Sequence, residues 1–249
     1  MLSPALQGVF RSLRTYHGSA APKAAMDRLY AQFVAPGALV FDIGAHVGDR
    51  VSSFRRLGAR VVALEPQPLL LRALRLIHGR DAGVILLPAA VASACGDLTL
   101  HINTRNPTVS TVSDAFRIEA DGAMGWEGQV WDRKLIVPAI TLDRLIAVFG
   151  PPQFIKIDVE GFEDEVLAGL SQPVPHVSFE FTTIARDVAQ RCLERLASLG
   201  PYQFNFALGE SQTLAFDPWI NAAHMAQHLS NLPHEANSGD VYAVRIEHA

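Results

Sequence analysis

Short apolar runs and longer amphipathic stretches alternate along most of the chain. The run ALVFDIG at 38–44 has no polar alternation, which is typical of a strand buried on both faces of a parallel sheet. The segment at 49–58 has helical spacing and ends at Gly58, a residue type that favours helix termini. The same two patterns predict further strands at 60–65, 83–91, 96–103, 135–140, 154–161, 177–181, 202–206 and 239–246, and further helices at 68–79, 141–150, 162–170 and 185–200.

This order of elements predicts an α/β fold with a doubly wound, mostly parallel sheet. Strands that alternate with helices along the chain, with short connections, form right-handed βαβ units. Residues 1–36 form a predicted N-terminal helical segment, and residues 37–249 form the main domain. The apolar face of the N-terminal segment has helical spacing and consists of Met26, Leu29, Tyr30, Phe33 and Val34. Two irregular stretches, 103–134 and 209–237, are predicted to be insertions that shape a substrate pocket.

Composition excludes several classes of protein. With 249 residues, 49% of them hydrophobic, the chain can bury a core without disulfides or a structural metal. A net charge of −4 does not suit a nucleic-acid partner, and the arginines clustered between positions 50 and 80 are interpreted as solvated helix faces. No apolar run is long enough to cross a bilayer, and the N-terminus lacks the apolar region of a secretory signal. Cys95 and Cys192 form no spacing motif, so we expect a cytoplasmic protein without membrane contact.

The loop after the first predicted strand carries a pattern suited to ligand binding, FDIGAHVGDR at 41–50. Gly44 and Gly48 let the backbone approach a ligand closely, and the next helix offers free N–H groups at its N-terminus. The loop lacks the G-x-G-x-x-G pattern of nicotinamide enzymes. Asp42 lies within the turn, where its carboxylate would repel a pyrophosphate and attract an ammonium or sulfonium group. The role of His46, a polar residue of this loop, is left open.

A second acid follows the neighbouring strand, where the sequence reads Glu65-Pro66. The carboxyl ends of neighbouring parallel strands lie at one edge of the sheet, so Glu65 is expected beside the first loop. A carboxylate there can accept hydrogen bonds from both hydroxyls of a ribose. A glycine loop with an acid, together with this second acid, predicts an S-adenosylmethionine site.

At this point the sequence resembles class I methyltransferases and, more narrowly, the FkbM family. The segments that carry the resemblance are VFDIGAHVGD, VVALEPQP, VPAITLDRL and FIKIDVEGFEDEVLAGL, spread over 38–182. The resemblance implies that residues 37–249 form a methyltransferase domain with a seven-stranded sheet, in which the final strand, GDVYAVRI, is antiparallel. It implies O-methylation of a hydroxyl on a sugar or small-molecule acceptor. The cofactor would contact residues of the two loops and the third strand, namely Asp42, Gly44, His46, Gly48, Glu65, Pro66 and Val91.

Candidate catalytic residues follow two later strands. Asp158 ends the strand in IKIDVEG, Lys156 shares its side, and Glu160 comes two residues later. Glu180 lies at the end of the neighbouring strand VSFEF. Asp158 is the first candidate for a general base and Glu180 the second, whereas Lys156 would orient a carboxylate or lower the pKa of the acceptor. The structural alternative is a Lys156–Asp158 ion pair.

Two further readings concern the neighbouring acids and metals. Glu163, Asp164 and Glu165 are interpreted as acids that favour a helix N-terminus. A divalent ion held by Asp158 with Glu180 or Glu160 is left open, because oxygen ligands suit magnesium. No tight multi-carboxylate signature is present, so the sequence predicts no metal.

Three other functions compete with small-molecule or glycan methylation. Lys156 with Asp158 is a partial hint of an RNA 2′-O-methyltransferase, which the acidic balance disfavours. A nicotinamide oxidoreductase is disfavoured by the missing glycine pattern. A catalytically inactive methyltransferase fold that acts as a binding protein is disfavoured by the intact glycines and strand-end acids. The sequence leaves the oligomeric state open, a homodimer included.

Overall fold

A computed structural model describes residues 3–18 and 20–246. The strands are β1 Leu39–Ile43, β2 Arg60–Leu64, β3 Val84–Leu87, β4 Ala90–Val91, β5 Gly96–Ile102, β6 Arg133–Ile140, β7 Phe154–Ile157, β8 His176–Thr182, β9 Tyr202–Leu208 and β10 Ser238–Arg245. The helices are α1 Pro4–His17, α2 Ala20–Tyr30, α3 Asp49–Arg56, α4 Pro68–His78, α5 Asp114–Ala120, α6 Leu142–Phe149, α7 Glu163–Ala168, α8 Arg186–Leu199 and α9 Ala222–Asn231.

Seven strands form the main sheet in the order β3-β2-β1-β7-β8-β10-β9. Neighbouring strands from β3 to β8 are parallel, whereas β10 runs antiparallel to both β8 and β9. The prediction of a doubly wound, mostly parallel sheet with an antiparallel final strand is therefore confirmed. Strands β1 and β7 are buried along their whole length, as their apolar sequences predict.

The predicted strand at 83–91 is wrong in one respect, because it divides into β3 in the main sheet and β4 in a second sheet. Pro88 lies between them and has no backbone N–H to continue a ladder. The second sheet has the order β4-β6-β5 and pairs β5 antiparallel with β6. This small sheet brings Val91 and Leu100 next to the edge of the main sheet where β1 and β2 end.

Helix α2 packs against α3 and the main sheet, whereas α1 packs against α4. Helix α2 ends at Tyr30, before the predicted limit, but Phe33 and Val34 remain buried with the rest of the predicted apolar face. The Tyr30 ring packs 4.7 Å from that of Phe54, and the Phe33 ring stacks 5.4 Å from that of Tyr242, measured between ring centroids. This contact joins the segment to a core formed by α3 and β10.

Both predicted insertions contain ordered elements. The first, 103–134, holds a 3-10 turn at Pro107–Val109 and the helix α5, and β6 begins at its end. The second, 209–237, holds α9 and a 3-10 turn at His234–Ala236. Across residues 3–18 and 20–246, no helix is both long and apolar enough to span a bilayer.

Candidate active site

A cavity lies at the carboxyl ends of β1, β2 and β7, where ligands bind in open α/β sheets. Its volume is about 900 Å³, counted together with the space continuous with solvent. The residues predicted for the cofactor or for catalysis that line this cavity are Asp42, Gly44, His46, Glu65, Pro66, Val91, Lys156, Asp158 and Glu160.

The first loop begins with a buried acid. Asp42 is 2% exposed and lies in register between Ala63 of β2 and Lys156 of β7. Its Oδ2 atom has no hydrogen-bond partner among the residues that the structure describes. Burial raises the pKa of Asp42 to about 7, although the nearby Lys156 opposes this shift. A cationic ligand group at this end of the cavity would find a carboxylate oxygen that accepts no hydrogen bond from the described residues.

The two predicted loop glycines have different surroundings. Gly44 has φ +83°, and a Cβ atom there would lie 1.8 Å from the carbonyl oxygen of Asp158. Only glycine therefore lets the loops after β1 and β7 approach so closely. Gly48, with φ +80°, packs against Leu74 and His78 of α4 instead of lining the cavity. Its predicted contact with the cofactor remains a prediction.

His46 faces the cavity from the same loop. Its ring meets that of Tyr16 edge-on at 5.3 Å between centroids, and Nε2 lies 3.5 Å from Oγ1 of Thr108. Burial lowers the pKa of His46 to about 4, so the imidazole is neutral at neutral pH. His46 thus contributes a neutral polar ring to the cavity wall.

Glu65 connects the loops after β1 and β2. Its Oε2 accepts a hydrogen bond from the N–H of His46 at 3.0 Å, and its Oε1 accepts one from the N–H of Gln67 at 2.7 Å. The side chain is 3% exposed, and burial raises its pKa to about 8. Each oxygen retains a second lone pair for a ligand hydroxyl. Pro66 and Val91 supply apolar surface beside this carboxylate.

Lys156 is fully buried and forms ion pairs with two acids. Its Nζ lies 2.8 Å from Oδ1 of Asp240 and 3.1 Å from Oδ2 of Asp158. Burial disfavours the ammonium group, but the two carboxylates outweigh burial and hold the pKa of Lys156 well above its usual value. Burial likewise disfavours the Asp158 carboxylate, but Lys156 and Arg50 together outweigh burial and lower the pKa of Asp158. The Lys156–Asp158 ion pair, which the sequence analysis gave as the structural alternative, is present, and Asp240 was not anticipated.

Asp158, Glu160 and Glu180 form one group, which we call the acid cluster. One carboxylate oxygen from each lies within 4.8 Å of the other two. The backbone of Glu160 is left-handed, with φ +59°, and its side chain is 6% exposed. Burial and the neighbouring carboxylates raise the pKa values of Glu160 and Glu180 well above their usual range. Glu180 does not line the cavity itself, but its neighbours in the cluster do.

The three acids that follow this cluster are engaged elsewhere. Glu163 accepts hydrogen bonds from the N–H groups of Val159 and Gly161, at 3.0 and 3.1 Å, and so fixes the loop after β7. Asp164 pairs with Arg191, and Glu165 accepts a hydrogen bond from Ser93. Their interpretation as structural acids agrees with these contacts.

The cavity residues that the sequence did not predict include Tyr16, Arg50 and Glu210. Arg50 was interpreted as part of a solvated face, which is wrong, because its side chain is 12% exposed. Its guanidinium contacts Asp49 and binds both carboxylate oxygens of Glu210, at 2.8 and 3.0 Å. Its position directly after the glycine loop is the signal that could have identified it. Tyr16 and Glu210 come from distant segments and have no such signal.

The first insertion supplies one wall of the cavity. Thr108, Ser110, Thr111 and Val112 line it, as expected for a segment that shapes a substrate pocket. The tryptophans of this insertion lie elsewhere. Trp126 packs edge-on against Phe116 at 5.1 Å, and Nε1 of Trp131 donates to the carbonyl oxygen of Val109 at 2.8 Å. They hold the insertion in place.

The family model of the methyltransferase FkbM domain matches residues 42–223, more than half of the chain. The chain belongs to the FkbM methyltransferase family. The predicted family is confirmed, and S-adenosylmethionine is the cofactor that this family implies. The cavity of this FkbM domain fits that cofactor, because the unpartnered oxygen of Asp42 suits a cationic group and Glu65 suits the ribose hydroxyls.

Relatives of this FkbM domain are distant. It is 24% identical over 163 residues to the hexuronic acid methyltransferase AglP of Haloferax volcanii, a match that covers 64% of this chain and 61% of that protein. The chain thus matches less than two thirds of that relative's length. A solved O-methyltransferase from Bacillus cereus in complex with SAH has 13% identity and a TM-score of 0.46, with 99% of this chain and 92% of that chain covered. Precorrin-6Y C5,15-methyltransferase from Geobacter metallireducens GS-15 has 14% identity and a TM-score of 0.46. That match covers 90% of this chain and 87% of the other.

Proposed function

We propose that this FkbM domain methylates a hydroxyl group of a sugar or another small-molecule acceptor, with S-adenosylmethionine as methyl donor. One observation carries the proposal: a single cavity joins the Asp42 and Glu65 loops to the Asp158 and Glu160 carboxylates. A sugar is the favoured acceptor because the relative from Haloferax volcanii is a hexuronic acid methyltransferase. Thr108 and Ser110 add hydroxyl groups to the wall, which suit a polyhydroxylated acceptor.

Glu65, Asp42 and Arg50 would hold the cofactor through its polar groups. Glu65 would accept hydrogen bonds from the ribose, and Asp42 would attract the ammonium group. Arg50 would bind the carboxylate, since its Nε has no hydrogen-bond partner among the residues that the structure describes. Gly44, Pro66 and Val91 would form the surface beside the cofactor, and the predicted roles of His46 and Gly48 stay part of the proposal. When bound, the cofactor supplies an activated methyl group.

At the other end of the cavity, Asp158 would orient the acceptor hydroxyl and receive its proton at a carboxylate oxygen. Lys156 would act as a positioning residue, because its ammonium group holds Asp158 in place and keeps it ionised. General base catalysis of this kind contributes about 10²–10⁴-fold to a rate. Glu180 is the second candidate for the base, and Glu160 lies beside both. Closeness and alignment of the acceptor oxygen supply the remaining rate enhancement.

Calorimetric titration tests the cofactor half of the proposal. We expect S-adenosylmethionine to bind one site and NAD⁺ not to bind. At pH 9, where Glu65 is ionised, Glu65→Gln should weaken the affinity roughly 10- to 100-fold, because a hydrogen bond to a charged group contributes about 1.5–3 kcal/mol. Glu119→Gln, on the exposed face of α5, serves as the control and should have no effect. Binding of NAD⁺ alone, or of neither ligand, would overturn the proposal.

Transfer of a labelled methyl group tests the acceptor half. A panel should contain a hexuronic acid glycoside and the matching neutral hexoside, with RNA as a third acceptor. Asp158→Asn should keep the affinity for S-adenosylmethionine and lower turnover by about 10²–10⁴-fold. Methylation of RNA but of neither sugar would contradict the proposed acceptor class. An unchanged turnover in Asp158→Asn would remove the base assignment.

A further inference from the structure

We propose that the acid cluster of Asp158, Glu160 and Glu180 is a binding site for a hard divalent cation of the Mg²⁺, Mn²⁺ or Ca²⁺ class. The sequence predicts no metal, because the three acids come from two strands and show no compact motif. The fold brings together one oxygen from each, all within 4.8 Å of one another. The existence of the site stands on this geometry, whereas its part in the reaction rests on the proposed function.

The ammonium group of Lys156 donates to other atoms than the carboxylates of Glu160 and Glu180. An ammonium group has three N–H donors. Those of Lys156 face Oδ1 of Asp240 at 2.8 Å, Oδ2 of Asp158 at 3.1 Å and the carbonyl oxygen of Ile157 at 3.4 Å. Glu160 and Glu180 therefore receive none of them. Glu160 and Glu180 thus lie beside the Lys156 ion pairs without an ion pair of their own among the residues that the structure describes.

Glu160 gives an independent indication that a ligand belongs in the cluster. Its side chain is 6% exposed, and its Oε2 atom has no hydrogen-bond partner across residues 3–18 and 20–246. The Oε2 atom of Glu180 is also buried and unpartnered in the same set of residues. Buried carboxylate oxygens are costly unless they are hydrogen-bonded, paired or bound to a metal. A cation between the two side chains would satisfy both.

The chemistry of the ligands selects the class of cation. Two oxygens on opposite sides of a bound ion are separated by at most twice the metal–oxygen distance, about 4.2 Å for Mg²⁺ and about 4.6–5.2 Å for Ca²⁺. Oxygens that all lie within 4.8 Å of one another are compatible with one shared ion of this class. Carboxylates alone, without thiolate or imidazole, favour these ions over zinc or copper.

The position of the cluster indicates what the cation would do. Asp158 and Glu160 line the cavity, whereas Glu180 supports them from β8. A cation with three protein ligands keeps coordination positions for water or for an acceptor oxygen. On the proposed function, this chain would use the site to hold the acceptor hydroxyl opposite the Glu65 loop. Neighbouring hydroxyls of a sugar are suited to such a site, because both can coordinate one ion.

Manganese titration of the protein without S-adenosylmethionine tests the inference. After treatment with a chelator, Mn²⁺ binding is measured by electron paramagnetic resonance, and Mg²⁺ and Ca²⁺ are added as competitors. We expect one saturable site that either competitor displaces. Glu160→Gln and Glu180→Gln should each weaken Mn²⁺ binding at least about tenfold. Glu194→Gln, an exposed residue of α8, is the control and should bind Mn²⁺ like the unaltered protein.

Thermal unfolding with and without Mg²⁺ or Ca²⁺ shows whether each variant is folded and whether the cation still stabilises it. Both glutamine variants remove a buried charge, so they should fold, and in them the cation should no longer raise the unfolding temperature. The absence of a saturable Mn²⁺ site, or a site that survives in both variants, would overturn the inference. Cofactor binding is measured separately, so a protein that binds S-adenosylmethionine but no cation refutes only this inference. A protein that binds the cation but no S-adenosylmethionine refutes only the proposed function.

Discussion

The buried ammonium group of Lys156 lies 2.8 Å from Oδ1 of Asp240 and connects two strands that are not neighbours in the sheet. Lys156 belongs to β7 and Asp240 to β10, with β8 between them. The antiparallel strand that completes the sheet thereby reaches the carboxylates of the cavity. This contact gives the final strand a part in the site as well as in the fold.

Lys156→Met should be strongly destabilising. The substitution leaves Asp240 and Asp158 buried without their cation, and removal of one partner from a buried pair costs about 3–5 kcal/mol. Urea unfolding would measure the loss of free energy. Arg191→Met is the control, because Arg191 forms two ion pairs at the surface, and such pairs contribute less than about 1 kcal/mol. Equal losses in the two variants would contradict the role of Lys156.

Gly44→Ala should damage the site more than the same change at Gly37. Both glycines have a left-handed backbone, with φ +83° and φ +82°, so both variants carry the cost of about 1–2 kcal/mol for that conformation. A Cβ at Gly44 would lie 1.8 Å from the carbonyl oxygen of Asp158, whereas at Gly37 it would meet no atom within 4 Å. Gly44→Ala should therefore also weaken binding of S-adenosylmethionine. Urea unfolding and calorimetry compare the two variants, and an equal effect would show that close approach is not the reason.

The affinity for S-adenosylmethionine should rise with pH as Asp42 and Glu65 lose their protons, at about pH 7 and about pH 8. Burial raises the pKa of Asp42 from its usual value near 4 to about 7, so the protein binds the cationic ligand only after Asp42 loses its proton. The dissociation constant should fall as the pH rises through this range. Asp42→Asn has no charge to gain and should show a flatter dependence, measured by calorimetry at several pH values.

The Asp42 carboxyl group should also make the protein without S-adenosylmethionine less stable as the pH rises. The folded-state pKa of Asp42 lies above the unfolded value, so the folded protein holds more protons between about pH 4 and 7. The protonated side chain of Asp42 therefore contributes to the free energy of unfolding below about pH 4, and this contribution is lost as the pH approaches 7. Glu65 and Glu163 titrate in an overlapping range, with pKa values of about 8 and about 7. The difference between the unaltered protein and Asp42→Asn isolates the contribution of Asp42, and no difference would contradict the assignment.

The sequence predicted the parts of the site that lie on consecutive strands. Asp42 and Glu65 end adjacent parallel strands, so local pattern and topology suffice to bring them together. The contact of Lys156 with Asp240 joins residues separated by 84 positions, and it depends on the register of three strands. Likewise, Glu210 reaches Arg50 across 160 positions from an irregular insertion. Periodicity carries no information about such pairs, because it reports which face is buried and not which side chains meet.

Arg50→Met should weaken the binding of S-adenosylmethionine, and only by removing the partner of the carboxylate group of the ligand. The Nε atom of Arg50 is buried and unpartnered within the described part of the chain, and a guanidinium binds carboxylates through parallel hydrogen bonds. Calorimetry with S-adenosylmethionine and with its decarboxylated analogue separates this contact from general damage. In the unaltered protein the analogue should bind roughly 10- to 100-fold more weakly.

In Arg50→Met the two ligands should bind with similar affinity, because the partner of the carboxylate is gone. Arg55→Met is the matched control on the same helix, since Arg55 pairs with Asp81 outside the cavity. That variant should still distinguish the two ligands. If Arg50→Met weakens both ligands by the same factor, Arg50 acts by holding Glu210 and its loop in place and does not recognise the carboxylate.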